Sequence, residues 1–408
     1  MDCTMTHNFL TEDEAGALVD QYMADERASR STQALLRDSS AARRLGNFAV
    51  RFGKVSDSIH GGAGTFVVNR DMWDTDFAPY MTGLQYTAAH FTAVDNGKEI
   101  PKVRVTYKNP PLTTQKGIPL RLMVRTDRIS THDINRGEIP FKDQILAVNH
   151  HAMRRLTQDT LGTSQFDVNG LSDTSVVIAA ENLQTLPIEM VLRAYMVKST
   201  TATSLYQAWL RKDVNFCGHF VDNHWIPNGR LPYVMDTPST KSDHHDQSVA
   251  PEFFFEHGFC QPDSYYQMRN AALVAFGVVS QFVRDKGLIL ADTKTEHGLT
   301  KDLCIVAQDE LYTLDSSRFW KIEDYTQQLE QLARGEIKEL NPLSFSKEFA
   351  RGFSQGDQGY SDEQRRAIAV RYIMGIQHLT GEPFKPDLRS REERVVSGLQ
   401  TIVEQLVT

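Results

Sequence analysis

Cysteine is scarce in this sequence: four residues among 408, with no two of them in a CxxC pair. We therefore expect neither a disulfide framework nor a structural zinc site, and we expect a reducing, cytoplasmic compartment. Basic residues are also in deficit, with 44 lysines and arginines against 52 acidic residues and a formal net charge of −8. This balance argues against nucleic acid as a partner.

Long apolar runs and nucleotide-loop motifs are absent as well. The longest apolar stretch, residues 271–283, is shorter than the ~20 residues that span a bilayer, so we expect no membrane partner. The first residues lack the basic start and apolar core of a signal peptide. No GxxxxGK[ST] sequence occurs and no GxGxxG follows a strand-like run, which leaves a P-loop or a Rossmann site without support.

Strand-like runs occur early in the chain and helical patterns late. This order favours an α+β fold over an alternating α/β sheet. The runs at 103–107 and 120–124 predict one β-hairpin, and residues 288–311 predict another. Helices are predicted over 12–37, 263–286, 322–332, 361–379 and 391–407, and Ser361 with Gln364 has the spacing of a capping box.

The segment LILADTKTEHG at 288–298 is the most informative one. Alternate residues of a strand share a face, so the apolar face of this strand continues into Asp292, Lys294 and Glu296. Unpaired charges at the end of a buried strand are costly, which indicates a ligand. Two carboxylates beside a lysine suit Mg²⁺ and an anionic substrate. A solvated strand end with a salt bridge is the alternative.

The returning strand adds further polar groups. Hairpin geometry would bring Asp309 back towards Glu296, giving a two-carboxylate site completed by phosphate oxygens and water. The following DSSR at 315–318 offers hydroxyls and a guanidinium to a phosphate or carboxylate. A zinc site in the polar loop around His245 and Asp246 is disfavoured, because its ligand spacing is poor.

Further motifs are TDRIS at 126–130, PIEMVLR at 187–193, STTATSLY at 199–206, TPSTK at 237–241 and SFSKEFAR at 344–351. In this order, together with ADTKTEHG at 291–298 and DELYTLDSSRFW at 309–320, they resemble the SAICAR synthetase family of purine biosynthesis over roughly residues 100–385. The resemblance implies an ATP-dependent ligase that joins L-aspartate to carboxyaminoimidazole ribonucleotide (CAIR). ADP and phosphate would be released, and an acyl phosphate would be the intermediate.

The resemblance also implies roles for individual residues. Lys294 and Asp292 would act at the CAIR carboxylate, and Glu296 and Asp309 would hold Mg²⁺ on ATP. The remaining assignments are Lys102, Arg104, Glu181, Lys241 and Asp246 for ATP binding, Asp127 and Ser130 for the aspartate pocket, Arg193, Ser199, Arg318 and Arg351 for the CAIR phosphate, and Asp315 for substrate binding.

Two points stay open at the level of the sequence. Glu189 is either a buried partner of Arg193 or a ligand contact. The family's phosphate-gripping GKVRD hairpin is matched incompletely at two places, KVRV at 102–105 and GKVSD at 53–57. We favour Lys102 and Arg104, because the Leu120 strand that follows leads directly into TDRIS.

The family fold implies a two-lobed, kinase- or ATP-grasp-like α+β enzyme. Its parts would be an N-terminal extension (1–97), a β-rich ATP-binding lobe (98–186), and a mixed α/β lobe for substrate and catalysis with C-terminal helices (187–408). A homo-oligomer stays open. The alternatives in function are a paralogous ligase or small-molecule kinase, motivated by departures at 141–143, Ala194 and Lys198, and a catalytically dead nucleotide-binding protein.

Overall fold

The structure, a computed structural model, describes residues 9–25, 32, 35, 49–53, 55–78, 85–95, 98–108, 110–131, 134–241 and 246–407. Its helices are α1 (Glu12–Ala24), α2 (Arg70–Met72, continued by a π-helical turn, Trp73–Phe77), α3 (Lys142–Thr157), α4 (Leu205–Leu210), α5 (Pro251–Glu256), α6 (Pro262–Arg284), α7 (Ile322–Ala333), α8 (Lys347–Arg351), α9 (Asp362–Thr380) and α10 (Arg391–Leu406).

The strands are β1 (Ala49–Phe52), β2 (Ser56–His60), β3 (Ala63–Asn69), β4 (Tyr86–Asp95), β5 (Lys98–Lys108), β6 (Leu120–Arg125), β7 (Arg128–Thr131), β8 (Ile134–Glu138), β9 (Val177–Glu181), β10 (Gln184–Tyr195), β11 (Asn215–Phe216), β12 (His219–Phe220), β13 (Arg230–Asp236), β14 (Ser239–Thr240), β15 (Leu288–Leu299), β16 (Ile305–Ala307) and β17 (Ser317–Lys321). The α+β class predicted from the sequence is confirmed.

The described residues form five sheets, two of which are the two-stranded pairs β7-β8 and β11-β12. A four-stranded antiparallel sheet has the order β1-β2-β6-β9, and a three-stranded one has the order β3-β5-β4. The largest sheet has the order β13-β10-β15-β16, with β14 on β10 and β17 on β15. Helix α10 covers the four-stranded sheet through Leu399 and Ile402, whereas α3, α6 and α9 form the main core with the largest sheet.

The predicted hairpin of 103–107 with 120–124 is wrong, although both segments are strands. β5 pairs with β3 and β4, and β6 pairs with β2 and β9. A polar turn between two strand-like runs indicates a hairpin only from neighbouring residues. Here each strand pairs with other segments of the chain and not with the strand across the turn. The second predicted hairpin is confirmed by the pairing of β15 with β16.

The expected boundary between an N-terminal extension and a lobe beginning at residue 98 would cut a sheet. β2 is hydrogen-bonded along its whole length to β6, from Ser56↔Arg125 to His60↔Arg121. The boundary at 186/187 falls inside β10. Helix α1 also belongs to the main core, where Ala15 and Val19 are fully buried.

The five predicted helices begin within one residue of their predicted starts, as α1, α6, α7, α9 and α10. The 16-residue α3 and the short α2, α4, α5 and α8 were not among the predicted helices. Ser361 accepts a hydrogen bond from the backbone of Gln364, whose side chain bonds back to the Ser361 backbone, so the predicted capping box is confirmed. Helix α1 ends at Ala24 with Asp25 as its C-cap, earlier than the predicted helix over 12–37. Residues 26–37 lie outside the described residues, apart from Thr32 and Leu35. In the described part of the chain, none of the helices is long and apolar enough to cross a bilayer.

A buried ion pair joins α10 to α3. The Arg394 guanidinium lies 2.8 Å from Asp143, and both residues are at most 5% exposed. We expect Arg394→Met to lower the free energy of unfolding by about 3–5 kcal/mol, because it leaves a buried carboxylate without its cation. Urea unfolding would measure this. The control is Arg155→Met, whose pair with Asp173 is exposed and should contribute about 0–1 kcal/mol; equal losses would contradict the prediction.

His297 predicts a pH dependence of stability. It is fully buried on β15, neither ring nitrogen has a hydrogen-bond partner among the described residues, and burial lowers its pKa to about 4. Its folded-state pKa lies below the unfolded one, so the unfolded state binds the extra proton as the pH falls. This contribution to stability is complete above about pH 6.5 and is lost towards pH 4.

The urea midpoint of the unaltered protein should therefore fall more steeply between pH 6.5 and 4.5 than that of His297→Leu. The exposed His224 supplies the control variant, His224→Gln, which should follow the unaltered protein. Parallel curves for all three proteins would show that His297 does not contribute.

Candidate active site

The antiparallel pairing of β10 with β15 brings the predicted charges of two motifs together. Glu189 lies opposite Glu296, and Arg193 lies opposite Asp292. On its other side β15 pairs with β17, which places Arg318 opposite Asp292. The members of these three facing pairs are 107, 99 and 26 positions apart in the sequence, yet they share one surface of the largest sheet.

Asp292 lies between two arginines. Its carboxylate accepts a hydrogen bond from Arg193 at 2.8 Å and is 3.4 Å from Arg318 Nε. Burial lowers the pKa of Arg193, and the nearby Asp292 opposes that shift. With only 5% of its surface exposed, Asp292 holds both guanidinium groups in place.

Helix α8 extends this chain of charges. Glu348 lies 4.0 Å from Arg318 and 2.8 Å from Arg351. Glu348 was not predicted as a site residue, although it stands inside the SFSKEFAR motif at 344–351. The result is three arginines held around two carboxylates, a cationic surface suited to a phosphate or carboxylate.

A second cluster surrounds Lys294. Its ammonium group donates to Glu189 at 2.6 Å and lies 3.9 Å from Glu296, which also pairs with Lys241. Burial alone would lower the pKa of Lys294, but Glu189 and Glu296 raise it above its ordinary value. Lys294 is therefore a fixed positive charge at neutral pH and not a base.

Glu189 has a different partner from the one considered. It binds Lys294 and the Ser239 hydroxyl, at 3.2 Å, whereas Arg193 binds Asp292 and Thr237. The interpretation of Glu189 as a partner of Arg193 is therefore wrong. The alternation of residues along β10 correctly placed Glu189 and Arg193 on one face. The pairing with β15 then brings an oppositely charged residue of β15 close to each of them.

Two carboxylates approach each other where β15 meets β16. The Gln308 amide donates to the Glu296 carbonyl at 3.0 Å, which brings the next residue, Asp309, beside Glu296. Burial and the charge of Glu296 both raise the pKa of Asp309. Burial would also raise the pKa of Glu296, but Lys241 and Lys294 lower it. Like charges held together in this way favour an added cation.

Such a pair fits Mg²⁺, which is commonly held by one or two carboxylates together with substrate phosphates and water. No group of three or more His, Cys, Asp or Glu residues that could hold a metal by itself occurs in the described ranges. His245 lies outside them.

Lys102 and Arg104 do not lie where the sequence analysis expected them. They are on β5, in the three-stranded sheet, and Arg104 packs over the Phe91 ring at 5.2 Å. The hairpin beside TDRIS is β1–β2 instead: its turn contacts that motif through the Val55 carbonyl and Thr126, and Asp57 pairs with Arg128. We therefore withdraw the assignment of Lys102 and Arg104 to ATP. Lys54 lies outside the described residues.

Asp127 makes structural contacts that the aspartate-pocket assignment did not anticipate. One oxygen accepts from the Asp143 amide at the start of α3, and the other accepts from the Tyr22 hydroxyl, both at 2.9 Å. Burial and the neighbouring Asp143 raise its pKa well above the ordinary value. Both oxygens thus have a partner within the protein, and the assignment of Asp127 to the aspartate pocket stays a prediction. Ser130 is buried on β7 nearby.

Asp315 is likewise an internal partner. It lies 2.9 Å from the fully buried Lys142 and accepts from the Tyr372 hydroxyl at 2.6 Å. Burial would raise its pKa, but Lys142 and Lys347 hold it at about 2. This arrangement ties the turn before β17 to α3 and α9. The assignment of Asp315 to substrate binding stays a prediction. Neither Lys142 nor Lys347 was predicted as a site residue, because the carboxylate that each one pairs with lies in a distant part of the chain.

The structure does not bring the other assigned residues into either cluster, and their assignments stay predictions. Ser199 is buried and its hydroxyl accepts from the Thr201 amide at 3.2 Å. Glu181 ends β9 and accepts from the backbone of Lys301 in the β15–β16 turn. Asp246 follows residues 242–245, which are outside the described part of the chain.

A family model described as SAICAR synthetase matches residues 102–367. The chain belongs to the SAICAR synthetase family. It is 31% identical to a chloroplastic phosphoribosylaminoimidazole-succinocarboxamide synthase of Arabidopsis thaliana over 70% of each chain. Against the synthase of Cytophaga hutchinsonii the identity is 32%, over 68% of this chain and 88% of that one. The family predicted from the motifs is therefore confirmed, and with it ATP-dependent ligation in purine biosynthesis.

Solved structures agree on the fold. A SAICAR synthase structure matches 88% of this chain and 100% of its own with a TM-score of 0.59, at 17% identity. The enzyme from Saccharomyces cerevisiae complexed with SAICAR matches 83% of this chain and 97% of its own, with a TM-score of 0.58 and 19% identity.

Proposed function

We propose that this enzyme joins the amino group of L-aspartate to the carboxylate of CAIR, using ATP and passing through an acyl phosphate. The observation that supports this proposal most is that two clusters of opposite net charge lie close together along β15. One, around Arg193 and Arg318, is suited to the phosphate of CAIR. The other, around Lys294, Glu296 and Asp309, is suited to phosphoryl transfer.

The reaction consists of two displacements. A CAIR carboxylate oxygen attacks the γ-phosphorus of ATP, and the bond to ADP breaks. The neutral aspartate amine then attacks the acyl carbon, the bond from that carbon to the phosphate oxygen breaks, phosphate leaves, and the nitrogen loses a proton to the phosphate or to water. Both steps depend on positioning and charge neutralisation more than on a protein nucleophile.

Lys294 is the residue placed to neutralise charge at the CAIR carboxylate. Because Glu189 and Glu296 keep it protonated, it can stabilise the negative charge that shifts between carboxylate and phosphoryl oxygens. Asp292 acts indirectly, by orienting Arg193 and Arg318, so we propose it as a positioning residue. Arg351, held by Glu348, completes the cationic surface.

Glu296 and Asp309 would hold Mg²⁺, which supplies charge neutralisation on the ATP phosphates when bound. Lys241, which pairs with Glu296, would contact the same phosphates from just beyond β14, and Glu181 and Asp246 would lie towards the nucleotide. A solved SAICAR synthetase in complex with ADP has the same fold, with a TM-score of 0.50. A catalytically dead binding protein would have no need for this coupled arrangement of Lys294 and two carboxylates.

The decisive measurement is ADP release by the purified protein with ATP, Mg²⁺ and CAIR, with and without L-aspartate. We expect release that requires both substrates and SAICAR formation in equal amount. Folded protein that binds ATP but gives turnover only with another carboxylate or amine would show a paralogue, and no turnover with any substrate would overturn the proposal.

Removing the metal-binding carboxylates should abolish activity without unfolding the protein. We expect Glu296→Gln and Asp309→Asn each to lower Mg²⁺-dependent turnover by about 10²–10³-fold, because several kcal/mol of charge stabilisation is lost. Asp302→Asn, in the exposed β15–β16 turn, is the matched control and should keep full activity. Comparable losses of thermal stability and activity in both variants would mean that the carboxylates are structural.

Lys294→Met should reduce kcat by about 10²–10³-fold, because it removes a preorganised charge at the reacting carboxylate. KM for CAIR should change much less, since Arg193 and Arg318 remain. Lys338→Met, at an exposed position, serves as the control. A rise in KM with unchanged kcat would place Lys294 in binding alone.

A further inference from the structure

Strand β4 forms a long edge that none of the described strands covers. It pairs with β5 on one side in ten consecutive residue pairs, from Tyr86↔Tyr107 to Asp95↔Lys98, without a register shift. In the order β3-β5-β4 its other side is the end of the sheet. Residues 85–90 are all exposed, and Val94 is 72% exposed.

Free edges of this length usually carry a feature that prevents pairing, such as a charge, a proline or a bulge. β4 has none of them over residues 86–94, YTAAHFTAV, which contain no Asp, Glu, Lys, Arg or Pro. The unbroken register with β5 excludes a bulge. The sequence of this edge is therefore suited to accept another strand.

The hydrogen-bonding pattern shows which backbone groups are available. The Lys108 amide donates to the Gln85 carbonyl, so odd-numbered residues of β4 are bonded to β5. Because the bonds of an antiparallel strand alternate between its two sides, the amides and carbonyls of Tyr86, Ala88, His90, Thr92 and Val94 point to the free edge.

These five residues are self-complementary. In an antiparallel pair of two β4 strands related by a two-fold axis at His90, Tyr86 faces Val94 of the second copy, Ala88 faces Thr92, and His90 faces itself. Every outward residue is then paired, giving about ten backbone hydrogen bonds, two for each opposed pair. A shift of the register by two residues in either direction leaves an outward residue at one end of each strand unpaired.

The same register accounts for the exposed apolar side chains at the two ends of the strand. Tyr86 is 38% exposed and Val94 is 72% exposed. Aromatic and β-branched residues opposite each other are a stabilising cross-strand pair. Two such pairs would form, one at each end of the joined strands, and no charged residue would be buried between them.

We propose that β4 is the dimerisation edge of this protein, and that it pairs antiparallel with β4 of a second copy across a two-fold axis at His90. The product is a continuous six-stranded sheet, β3-β5-β4 followed by the same three strands of the second copy. A two-fold contact of this kind is closed, so it yields dimers and not filaments.

Proline substitution tests the edge. Ala88→Pro removes an amide that points to the free edge and leaves the β4·β5 bonds intact, so it should give a folded monomer. Sedimentation equilibrium over a range of concentrations should show the unaltered full-length protein approaching the mass of two chains and the variant remaining at that of one. Ala88→Ser keeps the amide and should dimerise like the unaltered protein. Circular dichroism and the urea midpoint of each variant verify folding.

A charge exchange tests the register. His90 opposes its own copy, so His90→Lys and His90→Glu should each weaken dimerisation by at least tenfold in Kd, because like charges face each other. An equimolar mixture of the two variants should restore dimers, since a lysine of one variant then faces a glutamate of the other across the two-fold axis.

Each result decides the proposal. An unaltered protein that stays monomeric at every concentration would overturn it, as would a dimer that Ala88→Pro leaves intact. Dimers that persist in both His90 variants, or monomers that persist in their mixture, would refute the register at His90. None of these outcomes depends on the substrates of the enzyme, so they are independent of the proposed function.

Discussion

The antiparallel register of β10 and β15 is the constraint on which the rest of the site depends. It sets Arg193 opposite Asp292 and Glu189 opposite Glu296. A slip by one residue would turn every charged side chain of one strand to the other face of the sheet, into the apolar core. Desolvated arginine and lysine side chains without carboxylates would then be strongly destabilising. The buried charges therefore specify the register as much as the register arranges the charges.

Those features of the site that depend only on neighbouring residues could be predicted from the sequence, and those that depend on distant segments could not. The shared face of Asp292, Lys294 and Glu296 could be predicted because it needs only the alternation within one strand. The partner of Glu189 could not be, because it depends on how β10 aligns with β15, including a register shift between Thr185 and Glu189. The same holds for Asp127 and Asp315. Their motifs were evident, but the donors that satisfy them, Tyr22 and Lys142 with Tyr372, come from distant parts of the chain.

The N-terminal third shows the same limit at the level of the fold. Strands β5 and β6 are neighbours in sequence, separated by a polar turn, and a hairpin was the natural prediction. Instead β2 pairs with β6 across more than fifty intervening residues, and the β3-β5-β4 sheet forms from the segment between them. Loop-closure entropy rises only slowly with length, so such an insertion between two paired strands is tolerated. The residue pattern therefore predicted both strands correctly, whereas their proximity in the sequence predicted the wrong pairing.

The two clusters on β15 differ in the sign of their net charge, and we propose that this difference determines which substrate group binds at each cluster. Arg193, Arg318 and Arg351 face two carboxylates, Asp292 and Glu348, which leaves one positive charge in excess. Lys241 and Lys294 face three, Glu189, Glu296 and Asp309, which leaves one negative charge in excess. An anion is stabilised at the first cluster and a cation at the second. Both clusters lie along β15. CAIR bound through its phosphate at the first cluster would therefore direct its carboxylate towards Lys294 in the second. The metal-bound phosphates of ATP could be accommodated at that second cluster. This change in the sign of the charge between the two clusters is the reason for which we propose that CAIR binds with its phosphate at the first cluster and its carboxylate at the second.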